Sequence, residues 1–294
     1  MIDLHMHTTC SDGTDSVEKL IDNVILEGVT FFSITDHDTA KACRKILKSE
    51  ELKQKIKDAN IAFVPGIEYS CIYKGRKVHI LAYDIDPNSD EVRDFEKRLK
   101  LLMKEKDIYR FKAIEDAGFK FSEQSMEFLN SRINIRTPDV ANCLKNDGFF
   151  EDIEDAHVFL KSIKYPRDYL FDAIEVISEM SKAGAKVVWA HSIYGVKQRH
   201  IPFEQVDDFV CDFKKFGLSG LECYYSLYDE NEIAELVKIA KKHGLFVTCG
   251  SDYHGKNKKI KLLERSVDGT KVPEDEIKII KTFKNVIKWW VCLI

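Results

Sequence analysis

The chain has 294 residues, 44% hydrophobic and 32% charged, enough apolar material for one large α/β domain carrying an insertion. A formal net charge of −4 leaves no electrostatic footprint for a stable complex with long nucleic acid and favours small substrates. The eight cysteines show no Cys-x-x-Cys pair or regular spacing, which excludes a zinc ribbon or disulfide framework. The start lacks a basic region followed by an apolar run, and no stretch approaches the ~18 apolar residues of a membrane span. The expected location is therefore a reducing cytoplasm, with no membrane partner.

In chain order, the first feature is a His-x-His pair. If Ile2 to His7 is a strand, its period of two turns His5 and His7 to one face while Leu4 and Met6 take the other. Val17, Leu20, Ile21, Val24 and Ile25 then follow at helical spacing, and Gly28 is placed to end that helix. Phe31 to Thr35 reads as a strand that delivers Asp36 and His37 at its C-terminal end. Ala40 to Asp58 reads as one charged surface helix. The next strand, Ile61 to Val64, is broken by Pro65-Gly66 just before Glu68. Lys74-Gly75 then turns a hairpin between Ile67 to Tyr73 and Arg76 to Tyr83, in which Glu68 and His79 can meet across the strands.

The character changes at Pro87-Asn88-Ser89-Asp90, after which a long charged helix runs from Glu91 to Ala117. No alternation of strand and helix is visible up to about Pro166. Residues 87–166 are therefore expected to be a mostly helical insertion covering the active site, with 1–86 and 167–294 forming a discontinuous barrel domain. The alternation resumes with Leu170, Ala173, Ile174 and Ile177 on one helical face and the strand Ala185 to Ala190, which ends at His191. A helix from Phe203 to Phe216 leads to the strand Leu218 to Tyr224, and a helix from Asn231 to His243 leads to Leu245 to Gly250, ahead of Ser251-Asp252-Tyr253-His254. Glu274 to Ile294 reads as a helix followed by a short apolar strand. This rhythm implies a parallel sheet or barrel whose site assembles at the C-terminal ends of the strands. Tyr224, Tyr225 and Tyr228 could stack on a base, but packing is the expected role of aromatics after a strand.

Histidine and carboxylate thus recur at the ends of separate strand-like runs, and imidazole with carboxylate but without thiolate suits Mn²⁺, Zn²⁺ or Fe²⁺. Asp3-Leu4-His5-Met6-His7 with Ser11-Asp12-Gly13, Thr35-Asp36-His37, Glu68, His79, Ala190-His191 and Gly250-Ser251-Asp252-Tyr253-His254 together resemble, in order, the PHP (polymerase and histidinol phosphatase) family of metal-dependent phosphoesterases. The resemblance implies a distorted (β/α)7 barrel with a mostly helical inserted subdomain and three divalent ions. His5, His7, Glu68 and Asp252 would hold one ion, Glu68 would bridge to a second with His79 and His191, and Asp12, His37 and His254 would hold the third. Ser192 stands where relatives carry a proline after the third-motif histidine.

The overall layout most resembles family members that act on nucleotides, nucleoside bisphosphates or short RNA ends. The expected activity is that of a phosphomonoesterase, hydrolysing such a small phosphorylated substrate by attack of a hydroxide bridging the ions. No protein nucleophile is assigned, because Ser251 and Cys10 read as loop or packing residues. A 5′-3′ exonuclease on short RNA or DNA ends is the second reading, and a noncatalytic metal-binding regulatory module is a third of another class. Arg136, Lys106, Lys164 and Arg199 are phosphate-binding candidates, since a fixed cation near the ions orients an anionic substrate. The insertion departs from its relatives: Met103 and Lys106 stand where they carry paired arginines, and, with Val140-Ala141 kept in register, Thr137 and Asp139 stand where they carry an arginine followed two residues later by a histidine.

Overall fold

In the computed structural model, residues 1–132, 135, 137–166, 169–194 and 199–287 are described. The strands are β1 (Ile2–Asp3), β2 (Phe31–Ile34), β3 (Ala62–Tyr73), β4 (Arg76–Tyr83), β5 (Phe171–Asp172), β6 (Lys186–Ala190), β7 (Arg199–His200), β8 (Leu218–Tyr225) and β9 (Phe246–Gly250). The helices are α1 (Val17–Leu26), α2 (Lys41–Lys48), α3 (Glu50–Asp58), α4 (Asp90–Asp116), α5 (Glu123–Ser131), α6 (Thr137–Asn146), α7 (Ile153–Ser162), α8 (Ala173–Lys182), α9 (Phe203–Lys214) and α10 (Glu230–His243). The chain divides into two compact units, Met1–Glu96 with Phe171–Ile294, and Lys97–Leu170.

The first unit is built on a sheet in the order β1-β2-β3-β4-β6-β8-β9, with β5 alongside β3. The two ends of that path meet: Leu4 N–H donates to the Cys249 carbonyl at 3.1 Å, Asp252 N–H to the His5 carbonyl at 2.8 Å, and His7 N–H to the Tyr253 carbonyl at 2.9 Å. The result is a distorted seven-stranded barrel. Leu4, Met6, Phe32, Phe63, Tyr69 and Trp189 are all essentially inaccessible; Trp189 packs on Phe209 and Phe213 of α9 and Tyr69 reaches Met180 of α8.

The barrel is not all parallel. β4 runs antiparallel to both β3 and β6, and the connection from β3 is two residues long. Lys74 and Gly75 both have positive φ, 46° and 73°, the type I′ geometry that matches the twist of paired strands. β3 is one continuous strand, so Pro65-Gly66 does not break it. The Pro65 carbonyl still accepts from Asp84 N–H at 2.9 Å. Gly66 lets neighbouring chains approach, since a Cβ there would lie 2.6 Å from Ser33 Oγ.

Two other expectations are corrected. The segment 40–58 is two helices, because Ser49 is extended and its hydroxyl accepts from Leu52 N–H, capping α3. The residues from Glu274 onward form two 3-10 turns, Glu274–Glu276 and Lys278–Thr282, separated by Ile277 at ψ 58°, rather than an α-helix. The backbone then pairs Ile287 with Phe63, and the Lys284 and Asn285 N–H groups donate to the Asp84 carboxylate; 288–294, the place of the expected strand, lies outside the described residues.

The second unit is helical, with its own core of Ile114, Leu129, Val140, Leu144, Ala156 and Leu160. A cluster of Phe119, Phe149, Phe150 and Phe159 rings packs against it, with centroids 4.8 to 5.4 Å apart. Ser122, Ser125 and Asp147 tie α5 to the end of α6. No helix among the described residues is long and apolar enough to cross a membrane.

Candidate metal centre

The strands deliver their polar residues to one end of the barrel. β1 is short, yet the extended chain after it keeps His5 and His7 buried side by side, with ring centroids 5.2 Å apart. His37 follows β2, His191 follows β6, and Asp252 and His254 follow β9. His79 comes instead from the first half of β4, which lies at this end because β4 runs antiparallel to its neighbours. Glu68 sits within β3 two residues from Ser70, the partner of His79, so the two side chains form a diagonal cross-strand pair.

Glu68 is the hub. Its Oε1 lies 2.8 Å from His79 Nδ1 and 3.0 Å from His191 Nε2. Its Oε2 lies 3.2 Å from His5 Nε2, 3.1 Å from His7 Nε2 and 3.1 Å from His37 Nδ1. Asp252 Oδ1 faces His7 Nε2 and His254 Nδ1, both at 3.3 Å. Asp12 closes the far side, 3.3 Å from His254 Nε2 and 3.7 Å from His7 Nδ1. The clusters His5-His7-Glu68-Asp252, His7-Asp12-His37-His254 and His37-Glu68-His79 each hold their donor atoms within 4.8 Å of one another. Eight of the nine residues expected as ligands fall in these clusters, and the ninth, His191, lies against Glu68. His7 and His37 each belong to two of the clusters, a sharing that the sequence did not suggest.

Several of these donor atoms are left without a partner. His5 Nε2, both nitrogens of His7, His37 Nδ1 and Glu68 Oε2 are buried without a hydrogen-bond partner. Buried polar atoms are normally paired, so so many convergent orphans among hard and borderline donors fit divalent cations. The electrostatics agree. Burial opposes charge on Glu68, but His5, His37 and His79 hold its carboxyl well below the ordinary range. Burial likewise opposes charge on Asp252, yet His5, His7 and Lys258 keep it ionised. Burial pulls His37 down to about 3 against the attraction of Glu68. His7, despite burial, is held up at about 9 by Asp252 and Glu68.

The ligand loops are fixed from behind. Asp36 accepts from Thr8 N–H, Thr8 Oγ1 and Ser11 Oγ at 2.6 to 2.8 Å, anchoring the loop that carries Asp12. Asp3 accepts from Ser251 N–H and Leu263 N–H, both at 2.9 Å. Asn257 donates to the Asp12 carbonyl at 2.6 Å. Three contributors escaped the sequence reading. Glu222 accepts from His5 Nδ1, Tyr225 OH donates to Asp252 Oδ2 at 3.1 Å, and Lys258 Nζ lies 2.5 Å from the same oxygen. An acidic residue inside the apolar run of β8 was the available signal for Glu222, because Glu is almost never fully buried unless paired.

The expected phosphate-binding cations lie in the helical unit or outside the described residues. Lys106 and Lys164 belong to the helical unit, where Lys106 Nζ donates to Met103 Sδ at 3.2 Å and Lys164 is exposed. Arg136 lies outside the described residues. The backbone of Arg199 is in β7, and its side chain lies outside the described part. Tyr224, Tyr225 and Tyr228 are all buried, and the Tyr225 hydroxyl also donates to Asp252.

The chain is 24% identical over 264 residues to a phosphoribosyl 1,2-cyclic phosphate 1,2-diphosphodiesterase of Eggerthella lenta, covering 86% of this chain and 94% of that protein. It is 23% identical over 257 residues to a 5′-3′ exoribonuclease of Haemophilus influenzae, covering 86% and 89%, and 23% identical over 259 residues to a 3′,5′-nucleoside bisphosphate phosphatase of Chromobacterium violaceum, covering 86% and 87%. A crystal structure from Bifidobacterium adolescentis, assigned to the metal-dependent phosphoesterases, superposes with a TM-score of 0.67 at 26% identity over 95% of both chains. Residues 3–251 match the PHP domain, and the chain belongs to the PHP domain family.

Proposed function

We propose that this chain is a metal-dependent phosphoester hydrolase that acts as a phosphomonoesterase on a nucleotide, a nucleoside bisphosphate or a similarly small phosphate ester. The observation that carries the reading is Glu68, whose two oxygens are approached by His5, His7 and His37 on one side and by His79 and His191 on the other. Three divalent ions are proposed, held by His5, His7, Glu68 and Asp252, by Glu68, His79 and His191, and by Asp12, His37 and His254. Bound there, they supply Lewis acidity that makes hydroxide available near neutral pH and neutralises the phosphoryl oxygens and the departing alkoxide.

The chain's own residues hold that centre rigid. Glu68 and Asp252 provide fixed negative charge in a buried setting, while Tyr225 and Lys258 restrain the outer oxygen of Asp252. Burial, with Asp252 beside it, pushes the Tyr225 phenol up, so it stays a donor. No side chain is placed as a nucleophile: Ser251 is tied to Asp3 and to the His5 carbonyl, and burial raises the Cys10 thiol. Lys106 and Arg136 of the helical unit are proposed to add binding energy toward parts of the substrate away from the reacting phosphorus, which distinguishes esters whose reacting groups are identical.

The same cluster could serve a diester, and the Haemophilus relative's name favours a second reading as an exonuclease on short ends. The test is a panel of nucleoside bisphosphates, mononucleotides, a chromogenic diester and 5′-phosphorylated oligoribonucleotides, assayed with the manganese-reconstituted protein. Phosphate release from the mononucleotide-sized compounds at the highest kcat/KM is expected. Stepwise shortening of oligonucleotides at higher efficiency than any monoester would reverse the order, and a loaded protein inert on every ester would leave a noncatalytic metal-binding module.

A further inference from the structure

Glu222 is a fully buried carboxylate on β8, and both of its oxygens are engaged. Oε1 lies 2.9 Å from His5 Nδ1, and Oε2 accepts from the backbone N–H of His191 at 2.8 Å. His5 therefore turns its other nitrogen, Nε2, toward Glu68 Oε2 at 3.2 Å and Asp252 Oδ1 at 3.6 Å. His191 has φ of 29°, a left-handed conformation that a residue with a Cβ adopts only when its surroundings hold it. One carboxylate thus grips the ring of one expected ligand and the backbone of another.

The fold makes room for this contact. Between Glu222 and Tyr224 the pairing of β8 with β9 shifts register, the signature of a bulge at Cys223. Without it, the two-residue period would put Glu222 and Tyr224 on one face. With it, Glu222 and Tyr225 both serve the ligand set, and Tyr224 OH reaches Glu276 instead. Gly250, at the end of β9, is the other half of the arrangement: a Cβ there would stand 2.2 Å from His5 Cβ and 2.9 Å from Glu222 Oε1.

We infer that Glu222 is a positioning residue that keeps the His5 proton on Nδ1, leaves Nε2 free as a donor to a divalent ion, and at the same time fixes the backbone that presents His191. The inference rests on the reading that His5 and His191 hold ions. A carboxylate is required because both partners are N–H donors and two acceptors are needed. An amide of the same shape has one acceptor and one donor group. Glu222→Gln must either face the His191 N–H with its own N–H, or donate to His5 Nδ1 and move the ring proton to Nε2, where it blocks ligation. Orienting partners of this kind typically change metal affinity by about 10–100-fold.

The experiment titrates the metal-free full chain with manganese(II) and with zinc(II), each alone, for wild type, Glu222→Gln and Glu222→Asp, alongside thermal unfolding. Expected is a folded Glu222→Gln whose affinity for the tightest ions falls about 10–100-fold, with Glu222→Asp, which keeps two acceptors, nearer to wild type. A Glu222→Gln protein with lowered melting temperature but unchanged affinity for both metals would overturn the inference while leaving the metal reading intact. A wild-type chain that bound neither metal would overturn both. If Glu222→Gln does not fold, nitrogen-15 spectra of the zinc-loaded wild-type imidazoles decide: a proton on His5 Nδ1 with Nε2 ligated is expected, and ligation through Nδ1 would overturn the inference.

Discussion

Asp252 is the residue on which the chemistry can be tested most sharply. Its inner oxygen faces the imidazoles, and its outer oxygen is held by Tyr225 and Lys258. Asp252→Asn keeps the shape and removes the charge, so phosphate release should fall by more than the ~100-fold upper range of outer-shell changes, while circular dichroism shows a folded chain. Retained activity in that variant would remove Asp252 from the centre. The pH dependence follows from His7, held at about 9 against an ordinary 6.5. With the folded value raised, the stabilisation from its proton is complete below about 6.5 and is lost as pH rises through about 9. A metal must displace that proton, so manganese affinity should tighten from pH 6.5 to 9, with proton release visible by calorimetry in buffers of different ionisation enthalpy. Affinity that is flat across that window would contradict the placement of His7 among the ligands. At this scale most of the histidine and carboxylate positions stood out in the sequence because they accompany apolar runs, whereas Asp12, in a polar loop, and the reading of the set as ligands came from the resemblance to the PHP family. Glu222 and Lys258 were missed: Glu222 left only its acidic character inside the apolar run of β8 as a signal, and Lys258 sits in a lysine-rich loop that reads as solvated surface.

Among the elements, the β3–β4 hairpin was readable from Lys74-Gly75, since a two-residue turn needs φ above zero at both positions and leaves little choice of register. The reach of β3 through Pro65-Gly66 was not, because whether a proline ends a strand depends on which neighbour needs its missing N–H. The split between α2 and α3 was lost in a uniformly charged segment where only Ser49 marks the break. The bulge in β8 leaves no mark in the sequence, as Cys223 is one more apolar residue in the strand. Gly250 gives the prediction proper to this scale. Gly250→Ala would force a methyl group against His5 Cβ and His5 N, and over-packing of this sort costs about 1–3 kcal/mol. Thermal unfolding should show that loss, together with weakened metal binding, because the displaced group is His5. Unchanged stability and metal affinity would mean that β9 and the His5 segment are not held as closely as the barrel closure implies.

For the whole molecule, the strand and helix rhythm on both sides of residues 97–170 reflects a barrel whose chain leaves and returns between β4 and β5. The helical unit has its own core, which lets its surface vary without disturbing the ligands. Lys106→Ala and Arg136→Ala are expected to raise KM for a nucleoside bisphosphate with metal content unchanged. A lost charge-assisted hydrogen bond of about 1.5–3 kcal/mol corresponds to roughly ten- to a hundredfold in kcat/KM. Wild-type kinetics in both variants would move specificity to the barrel loops. Salt separates the two substrate classes: affinity for an oligonucleotide falls steeply with ionic strength, whereas a substrate with one or two phosphates responds weakly. The most direct measurement is phosphate release from a nucleoside 3′,5′-bisphosphate by chain stripped with a chelator and then titrated with manganese. Activity should be absent in the stripped protein and return in proportion to bound metal. Full activity in stripped protein would contradict the reading of the imidazole and carboxylate cluster as the hydrolytic centre.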